Sequence, residues 1–503
     1  MNYEFMSKRR RASIPFFHKE NAYDDFKRER LLPYRFSKDG PGVAVGDING
    51  DGMADVVLTG AKYQGSAAFL QQRDETFTPW PCGINDVTDA EDVDAALVDI
   101  DSDKDLDLVI VTGGNEFSPN DPELEDRLYR NDGKGTFTRI PNGLSAGNHS
   151  GSCVVPADYD GDGDVDLFIG GRCVPGKFPA AARSVLYRND KGAYTDVTDK
   201  VAPGLSRCGL TSQAVWVDID KDKDLDLVVV GQWMTPRVWR NTKGVFAEVT
   251  TSVGLDGQEG WWLSVAAADV DNDGDMDLVA GNIGLNAKFT PEPGKPIICY
   301  VSDFDENGSL DHLVTYDVDG RRMPTRGRTT ILAHMPTLTR KYNTFSQFAN
   351  ADIDDVIAPA VKDTAQQLVA RTFASTVFLN TDGRFVAQPL PDMAQLAPVM
   401  AVLPRDLDGD GDQDLVVAGN AKTQDGDIIG YDAGMGLVLR NDRRGLFTPI
   451  EPWQSGFSAP HDSRRMAVLP VPGKHDLLVL TVNGRSPRVF DLQAFPMQTK
   501  SSR

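Results

Sequence analysis

The sequence predicts an all-β protein: a β-propeller of eight (alternatively seven) four-stranded blades, with acidic turns between the first two strands of each blade and a small helical insertion. Three observations predict it. A nine-residue acidic frame recurs seven times, short apolar runs flank each copy, and several copies are followed by a second strand–turn–strand unit. Repeats on a scale of tens of residues are the signature of solenoids, propellers and arrays.

The frames begin at Asp47, Asp99, Asp158, Asp218, Asp269, Asp303 and Asp406, and the starts are 52, 59, 60, 51, 34 and 103 residues apart. Small or apolar runs such as "GVAV" and "AVWV" precede them, and runs such as "VVLTG" and "LVVVGQ" follow. Runs of that length bounded by turn residues read as buried strands. The second unit, as in "LYRNDGKGTFTRI", "VWRNTKGVFAEVT" and "VFLNTDGRFVAQP", is a strand, an Asn/Asp/Gly turn and another strand. One repeat is therefore four antiparallel strands, and four strands per repeat is a propeller blade. A further unit from Arg464 keeps the strand pattern without the acidic turn, and the segment from Asp24 to Gly40 is expected to supply an outer strand that closes the ring. Closure removes the exposed edges that open sheets must otherwise protect.

Two spacings are irregular. The short gap after Asp269 leaves little room for outer strands in the fifth blade. The long gap before Asp406 holds an insertion at about 328–372, with Leu332, Met335, Leu338, Tyr342, Phe345 and Phe348 at helical spacing. The expected division is an N-terminal tail over 1–25, the propeller over 26–495 and a C-terminal tail over 496–503.

The acidic frame is read as a cation cage, because carboxylates this close repel unless a positive charge sits among them. Ca²⁺ takes six to eight oxygen ligands in flexible geometry. In a nine-residue loop the side chains at positions 1, 3 and 5 converge, position 7 offers its backbone carbonyl, and position 9 returns a carboxylate from the next strand. The predicted ligands are Asp47, Asn49, Asp51, Met53 and Asp55 in the first loop and Asp99, Asp101, Asp103, Asp105 and Asp107 in the second. They are Asp158, Asp160, Asp162, Asp164 and Asp166 in the third, and Asp218, Asp220, Asp222, Asp224 and Asp226 in the fourth. The fifth offers Asp269, Asp271, Asp273, Asp275 and Asp277. The sixth offers Asp303, Asp305, Asn307, Ser309 and Asp311, and the seventh Asp406, Asp408, Asp410, Asp412 and Asp414. Oxygen donors without His or Cys disfavour zinc and copper, and Mg²⁺ demands a smaller, stricter octahedron.

Position 6 calls for a positive φ. Gly supplies it at Gly52, Gly163, Gly274, Gly308 and Gly411, whereas Lys104 and Lys223 occupy it in the loops from Asp99 and Asp218. Those two loops are expected to bind more weakly or to use the Lys as a built-in counter-ion.

The chain of 503 residues carries a formal net charge of −22, from 74 acidic against 52 basic residues. That balance argues against a nucleic-acid partner. Seven Ca²⁺ would bring the net charge to −8, so metal is expected to rigidify the ring. No apolar run reaches the length of a membrane helix. The basic start, "MNYEFMSKRRRASIPFF", has no apolar region behind it, so no signal peptide is read. The five cysteines form no CxxC pair. Cys153 and Cys173 flank the third frame and either bridge or stay as buried thiols.

The frames with their flanking strands resemble the FG-GAP/VCBS repeats of integrin α-subunit propellers. Segments such as "DFKRERLLPYRFSKDGPGVAVGDINGDG", "FIGGRCVPGKFP", "GQWMTPRVWRN" and "GNIGLNAKF" resemble bacterial surface proteins of the ASPIC/UnbV and cartilage-acidic-protein type. The resemblance implies a calcium-binding, non-enzymatic protein of the cell surface or exterior, used for adhesion or recognition. Since this chain shows no signal peptide and no ASPIC-type module, a fragment or a misassigned start is also expected.

In a propeller the acidic turns share one face, which leaves the other for partners. Arg172, Trp233, Trp261, Trp262, Asn282 and Asn286 are the candidates there for a glycan or protein ligand; tryptophans at blade ends also serve simply as plugs. No catalytic triad order, nucleotide loop or dinucleotide fingerprint stands in a supporting context. The alternative is a polysaccharide lyase or hydrolase on the same scaffold, for which Glu116, Glu123, Glu125 and Asp126 are the acidic cluster available.

Overall fold

The apolar runs beside each frame do form strands. A computed structural model describes residues 6–8, 13–85, 87–422, 427 and 430–492. The described residues form eight antiparallel sheets, each of four strands with the short Gly260–Trp261 added as a fifth to one of them, and only short helices.

Seven of these sheets make the ring. Their innermost strands are Val43–Gly46, Asp92–Val98, Gly151–Ala157, Leu210–Val217, Ser264–Ala268, Ala401–Arg405 and Ser463–Leu469. Each packs against the next, and the last packs against the first. Seven apolar seams fill the wedges between neighbouring blades, from Val57 and Ile110 between blades one and two to Leu58 and Val479 between blades one and seven. Burying both faces of each sheet explains why the second strands read as continuous Val, Ile and Leu rather than as alternation; Asp107–Thr112 and Asp226–Met234 are buried throughout.

The eighth sheet is an insertion in blade five. That blade runs Ser264–Ala268 and Asp277–Gly281, then resumes at Thr376–Thr381 and Arg384–Pro389. Between its second and third strands the chain builds a separate sheet in the order Arg321–Pro324, Asp311–Val318, Ile297–Ser302, Gln366–Ala370. This accounts for the short spacing before the Asp303 frame, which turns within the inserted sheet and not within the ring. The expected helices are present as Arg328–His334, Phe345–Ala349, Ile353–Val356 and Pro359–Lys362, packed around Ile331, Tyr342 and Phe348. The insertion thus starts well before residue 328.

Two expectations about the N-terminus change. The strand that closes blade seven is Met6–Lys8, paired with Arg488–Leu492, and not the segment from Asp24 to Gly40. That segment carries 3-10 turns and Pro33, which suit a crossing loop better than a sheet edge. It crosses the face opposite the acidic turns, where Arg28 donates to the carbonyls of Asn115 and Phe117, and Leu32 and Phe36 are buried against Phe178 and Trp261. Residues expected in the N-terminal tail are part of the fold: Ile14 and Phe16 fill the seam between blades seven and one, and His18 and Asp25 are fully buried. The expected C-terminal tail, 496–503, lies outside the described residues. All five cysteines are buried free thiols, with Cys153 and Cys173 in different apolar clusters.

Candidate metal centre

The loop from Asp158 shows how nine residues make a cage. Asp158, at position 1, accepts the backbone N–H groups of Gly161, Asp162 and Gly163 at 2.8, 3.1 and 2.9 Å. Asp162 accepts the N–H of Asp164 at 2.9 Å. Asp166, at position 9, uses both oxygens: it accepts Tyr159 N–H at 3.1 Å and, from the third strand of the blade, Asn189 N–H at 2.7 Å. These bonds wind the loop so that Asp158, Asp160 and Asp166 bring one carboxylate oxygen each within 4.8 Å of one another.

The pattern repeats. Equivalent triads form from Asp99, Asp101 and Asp107, from Asp218, Asp220 and Asp226, and from Asp303, Asp305 and Asp311; in the fifth frame Asp269, Asp271 and Asp273 converge. The winding needs left-handed residues, and φ at position 6 lies between +76° and +94° in all seven loops. Lys104 and Lys223 adopt +76°, the same turn as the glycines, and their N–H groups donate to Asp99 and Asp218 at 3.0 Å. Position 4 is left-handed as well, at Gly50, Ser102, Gly161, Lys221, Asn272, Glu306 and Gly409, a requirement that Ser and Lys hid in the sequence.

In five of the seven cages one atom is left over. The inner oxygens of Asp101, Asp160, Asp220 and Asp305, all at position 3, are buried without a hydrogen-bond donor, as is one oxygen of Asp269 at position 1. Buried carboxylate oxygens are costly when left unpaired, and a hard cation is the partner their geometry fits. Position 9 carries the same imprint. Burial pushes the carboxyls of Asp55, Asp166, Asp277 and Asp414 up to about 7, and those of Asp107 and Asp226 to about 6; two backbone N–H bonds at each oppose the rise, and the neighbouring aspartates add to it. A divalent ion supplies the positive charge that would hold these groups ionised.

Side chains at position 7 turn away from the cage, which leaves the backbone carbonyl for the ion. Asp164 and Asp224 accept the N–H groups of Lys191 and Lys243 in the outer hairpin, at 3.0 and 2.8 Å, and Asp275 pairs with Lys221 of the preceding loop. Basic residues also attend position 3, where Arg130 sits 3.0 Å from Asp101 and Arg240 3.0 Å from Asp220.

A set of asparagines went unread in the sequence. Asn131, Asn189, Asn241, Asn380 and Asn441 stand at or just after the end of the third strand and donate their N–H groups to Asp107, Asp166, Asp226, Asp277 and Asp414 at 2.7–2.8 Å. Their signal was the recurring "RN" or "LN" before the outer turn, which looks like ordinary turn chemistry.

On the opposite face the structure gathers some of the ligand candidates and separates others. Arg172 and Trp261 line a cavity of about 60 Å³ at the mouth of the ring axis, with Tyr34, Asp39, Gln232 and Arg464. Arg172 is held by Asp39 at 3.1 Å, by Ser212 at 2.9 Å and by Tyr34. Trp233 packs edge-on against Trp261 at 5.1 Å, and both indole N–H groups are buried without a partner. Trp262 is fully buried in the seam between blades four and five and donates to the carbonyl of Gln258. Asn282 is also fully buried and pins Trp261 and Thr372 together, while Asn286 is exposed and donates to the Leu396 carbonyl.

Residues 47–110, 99–169 and 218–280 match the family described as FG-GAP-like repeat. The matched stretches lie in blades one to five of the ring. No curated protein matches the chain. Among solved structures, this chain is similar to the biofilm matrix protein Bap1 of V. cholerae, at 11% identity and a TM-score of 0.42, covering 97% of this chain and 91% of that one. It is similar to BBS1N, solved in complex with ARL6DN, at 10% identity and a TM-score of 0.44 over 100% and 99% of the two chains. It is also similar to YCF48, solved bound to D1 peptide, at 8% identity and a TM-score of 0.41 over 95% and 100%. No helix among the described residues is long and apolar enough to cross a membrane.

Proposed function

We propose that this FG-GAP-like propeller is a Ca²⁺-stabilised recognition scaffold that binds a ligand without transforming it, outside the cell or on its surface. The observation that carries the metal half is the unpartnered position-3 oxygen, repeated in four loops whose other donors are all carboxylate, amide, hydroxyl or carbonyl oxygens. Flexible all-oxygen cages of this kind suit Ca²⁺ better than Zn²⁺. The loops from Asp47, Asp158, Asp269, Asp303 and Asp406, with Gly at position 6, take the ion most readily; the Lys104 and Lys223 loops follow.

Recognition is assigned to the face away from the metal loops. A protein is favoured over a glycan by a groove of about 300 Å³ between blades five and six, lined by Met393, Leu396, Val399, Met435, Leu437 and Trp453 with Glu451 as the only charge among the described residues that line it. Trp453 is 78% and Met435 51% exposed there, whereas the tryptophans nearer the axis are buried. An apolar groove with one carboxylate offers a sugar few hydrogen bonds. The surface location rests on the likeness to exported repeat proteins.

The experiment is calorimetry with Ca²⁺, Mg²⁺ and Zn²⁺, followed by pull-down and glycan-array binding with and without chelator. Ca²⁺ saturating several sites and ligand retention lost on chelation are the expected results. Preference for Zn²⁺ would overturn the metal assignment, and turnover of a polysaccharide without retention would overturn the binding assignment.

A further inference from the structure

Beyond holding metal, the loops are wired to one another. The side-chain amide of each recurring asparagine reaches out of its own blade. Asn131, Asn189, Asn241, Asn380 and Asn441 donate Nδ2–H to the carbonyls of Ile48, Ile100, Tyr159, Ile219 and Val270, at 2.8, 2.8, 2.7, 2.9 and 2.6 Å. Each of those carbonyls is position 2 of the metal loop in the preceding blade, between its first two ligands. The same Nδ2 groups donate to the position-8 carbonyls of their own loops, Leu106, Val165, Leu225, Met276 and Gln413, at 3.0–3.2 Å. All five asparagines are buried.

The links are therefore continuous. In each loop the position-2 N–H donates to the position-9 carboxylate, as Tyr159 does to Asp166. The position-2 carbonyl accepts from the asparagine of the next blade, and that asparagine's N–H binds the next position-9 carboxylate. A second strand of contacts runs beside it where position 4 of one loop meets position 7 of the next: Ser102 with Asp164, Lys221 with Asp275, and Asn272 with Asp412.

The series stops at the seam between blades seven and one. Blade one has Gln71 in the asparagine's place. Its N–H still reaches Asp55 at 2.8 Å, but its buried side-chain amide has no partner, and blade seven has no acidic loop. The loop from Asp303 stands apart as well, since Asp311 faces Nε2 of His334 at 2.7 Å instead of an asparagine N–H.

Resting on the metal reading above, we propose that these five asparagines are positioning residues that couple metal binding in the loops of blades one to six into one linear series, open at the seam between blades seven and one, with the inserted loop independent of it. An ion that orders one loop fixes the position-9 carboxylate and hence the asparagine, which sets the carbonyl between the first ligands of the preceding loop. Coupling of this kind travels through contiguous two-sided contacts, and here the asparagine contact is present five times.

The third loop supplies its own reporter. Tyr159 is position 2 of the Asp158 loop and stacks on Trp216, with ring centroids 6.0 Å apart. Trp216 also stands two residues before Asp218, so Tb³⁺ titration of the full chain carrying Trp216→Phe, with Ca²⁺ as competitor, reads the third loop through Tyr159. Asn241→Ala changes no ligand of the third loop and leaves the backbone N–H on Asp226. It should weaken Tb³⁺ in the third loop about tenfold, the effect expected for loss of one buried hydrogen bond, and lower the Hill slope of Ca²⁺ titration toward 1. Asp220→Ala, which strips a ligand from the fourth loop only, should weaken the third loop in the same direction and covers the case in which Asn241→Ala does not fold. His334→Ala, next to the inserted loop, should leave third-loop emission unchanged. Third-loop affinity unchanged in Asn241→Ala, or in Asp220→Ala where only the latter folds, overturns the coupling while leaving the metal reading intact. Wild-type protein that binds neither Tb³⁺ nor Ca²⁺ overturns both.

Discussion

Asp166→Asn separates what a position-9 aspartate does for the backbone from what it does for the ion. In the wild type its two oxygens accept Tyr159 N–H at 3.1 Å and Asn189 N–H at 2.7 Å, and one of them also belongs to the triad with Asp158 and Asp160. An asparagine of the same shape keeps one acceptor and turns an NH₂ toward the other donor. One buried N–H is then left unmet, a cost of about 1–3 kcal/mol that is independent of metal. The ion adds a separate quantity. A site held at one hundred times its Kd stabilises the folded state by about 2.7 kcal/mol, and the variant loses most of that increment at this one site. Equilibrium urea unfolding of both proteins, each in chelator and in saturating Ca²⁺, gives the four numbers needed. The expected result is a deficit in chelator of about 1–3 kcal/mol and a deficit in Ca²⁺ larger by about 2–3 kcal/mol. Equal deficits in the two conditions would refute the placing of the Asp166 carboxylate on an ion.

Three further outcomes follow from the same geometry. Lys104→Gly, at a φ of +76°, should stabilise the protein by about 1 kcal/mol and tighten Ca²⁺ in the Asp99 loop, checked by thermal melts and calorimetry. The position-9 carboxyls stand at about 6 to 7 in the metal-free ring, above their ordinary value, so metal-free protein loses stability as pH rises from about 4 to about 7, while Ca²⁺ affinity climbs over the same window; the gap between melting temperatures with and without Ca²⁺ should therefore widen from pH 5 to 7.5. Trp262→Ala empties a fully buried site between blades four and five and should cost about 3–5 kcal/mol in denaturant unfolding.

What was legible in the sequence is what short-range chemistry dictates. The acidic frame, the strands beside it and the positive φ at position 6 all follow from residues within nine positions of one another, and Lys104 and Lys223 keep the turn that the glycines advertise. Partners distant in the chain were not legible. The frame from Asp303 is locally indistinguishable from the others, yet its strands pair among themselves, because the outer half of blade five returns only at Thr376. Met6–Lys8 carries no strand signature beyond its position, and only the free edge of Arg488–Leu492 recruits it. The asparagines were visible but unreadable: an Asn before a turn explains itself locally, and its second task lies in another blade. The aromatic residues assigned to a ligand face divide because the segment crossing that face, with Tyr34 and Phe36, and the inserted sheet cover most of them.

Blade five imposes a waiting time on synthesis. Leu278 must find Phe378, and Val279 must find Val377, across a detour that builds a sheet and several helices of its own. At ribosomal rates of 5–20 residues per second that interval is roughly 5–20 s, during which the apolar rim Asp277–Gly281 has no neighbour on one side. A nascent chain in that state is a natural client for a holding chaperone, and a shortened detour would trade away whatever the inserted sheet does for a safer birth.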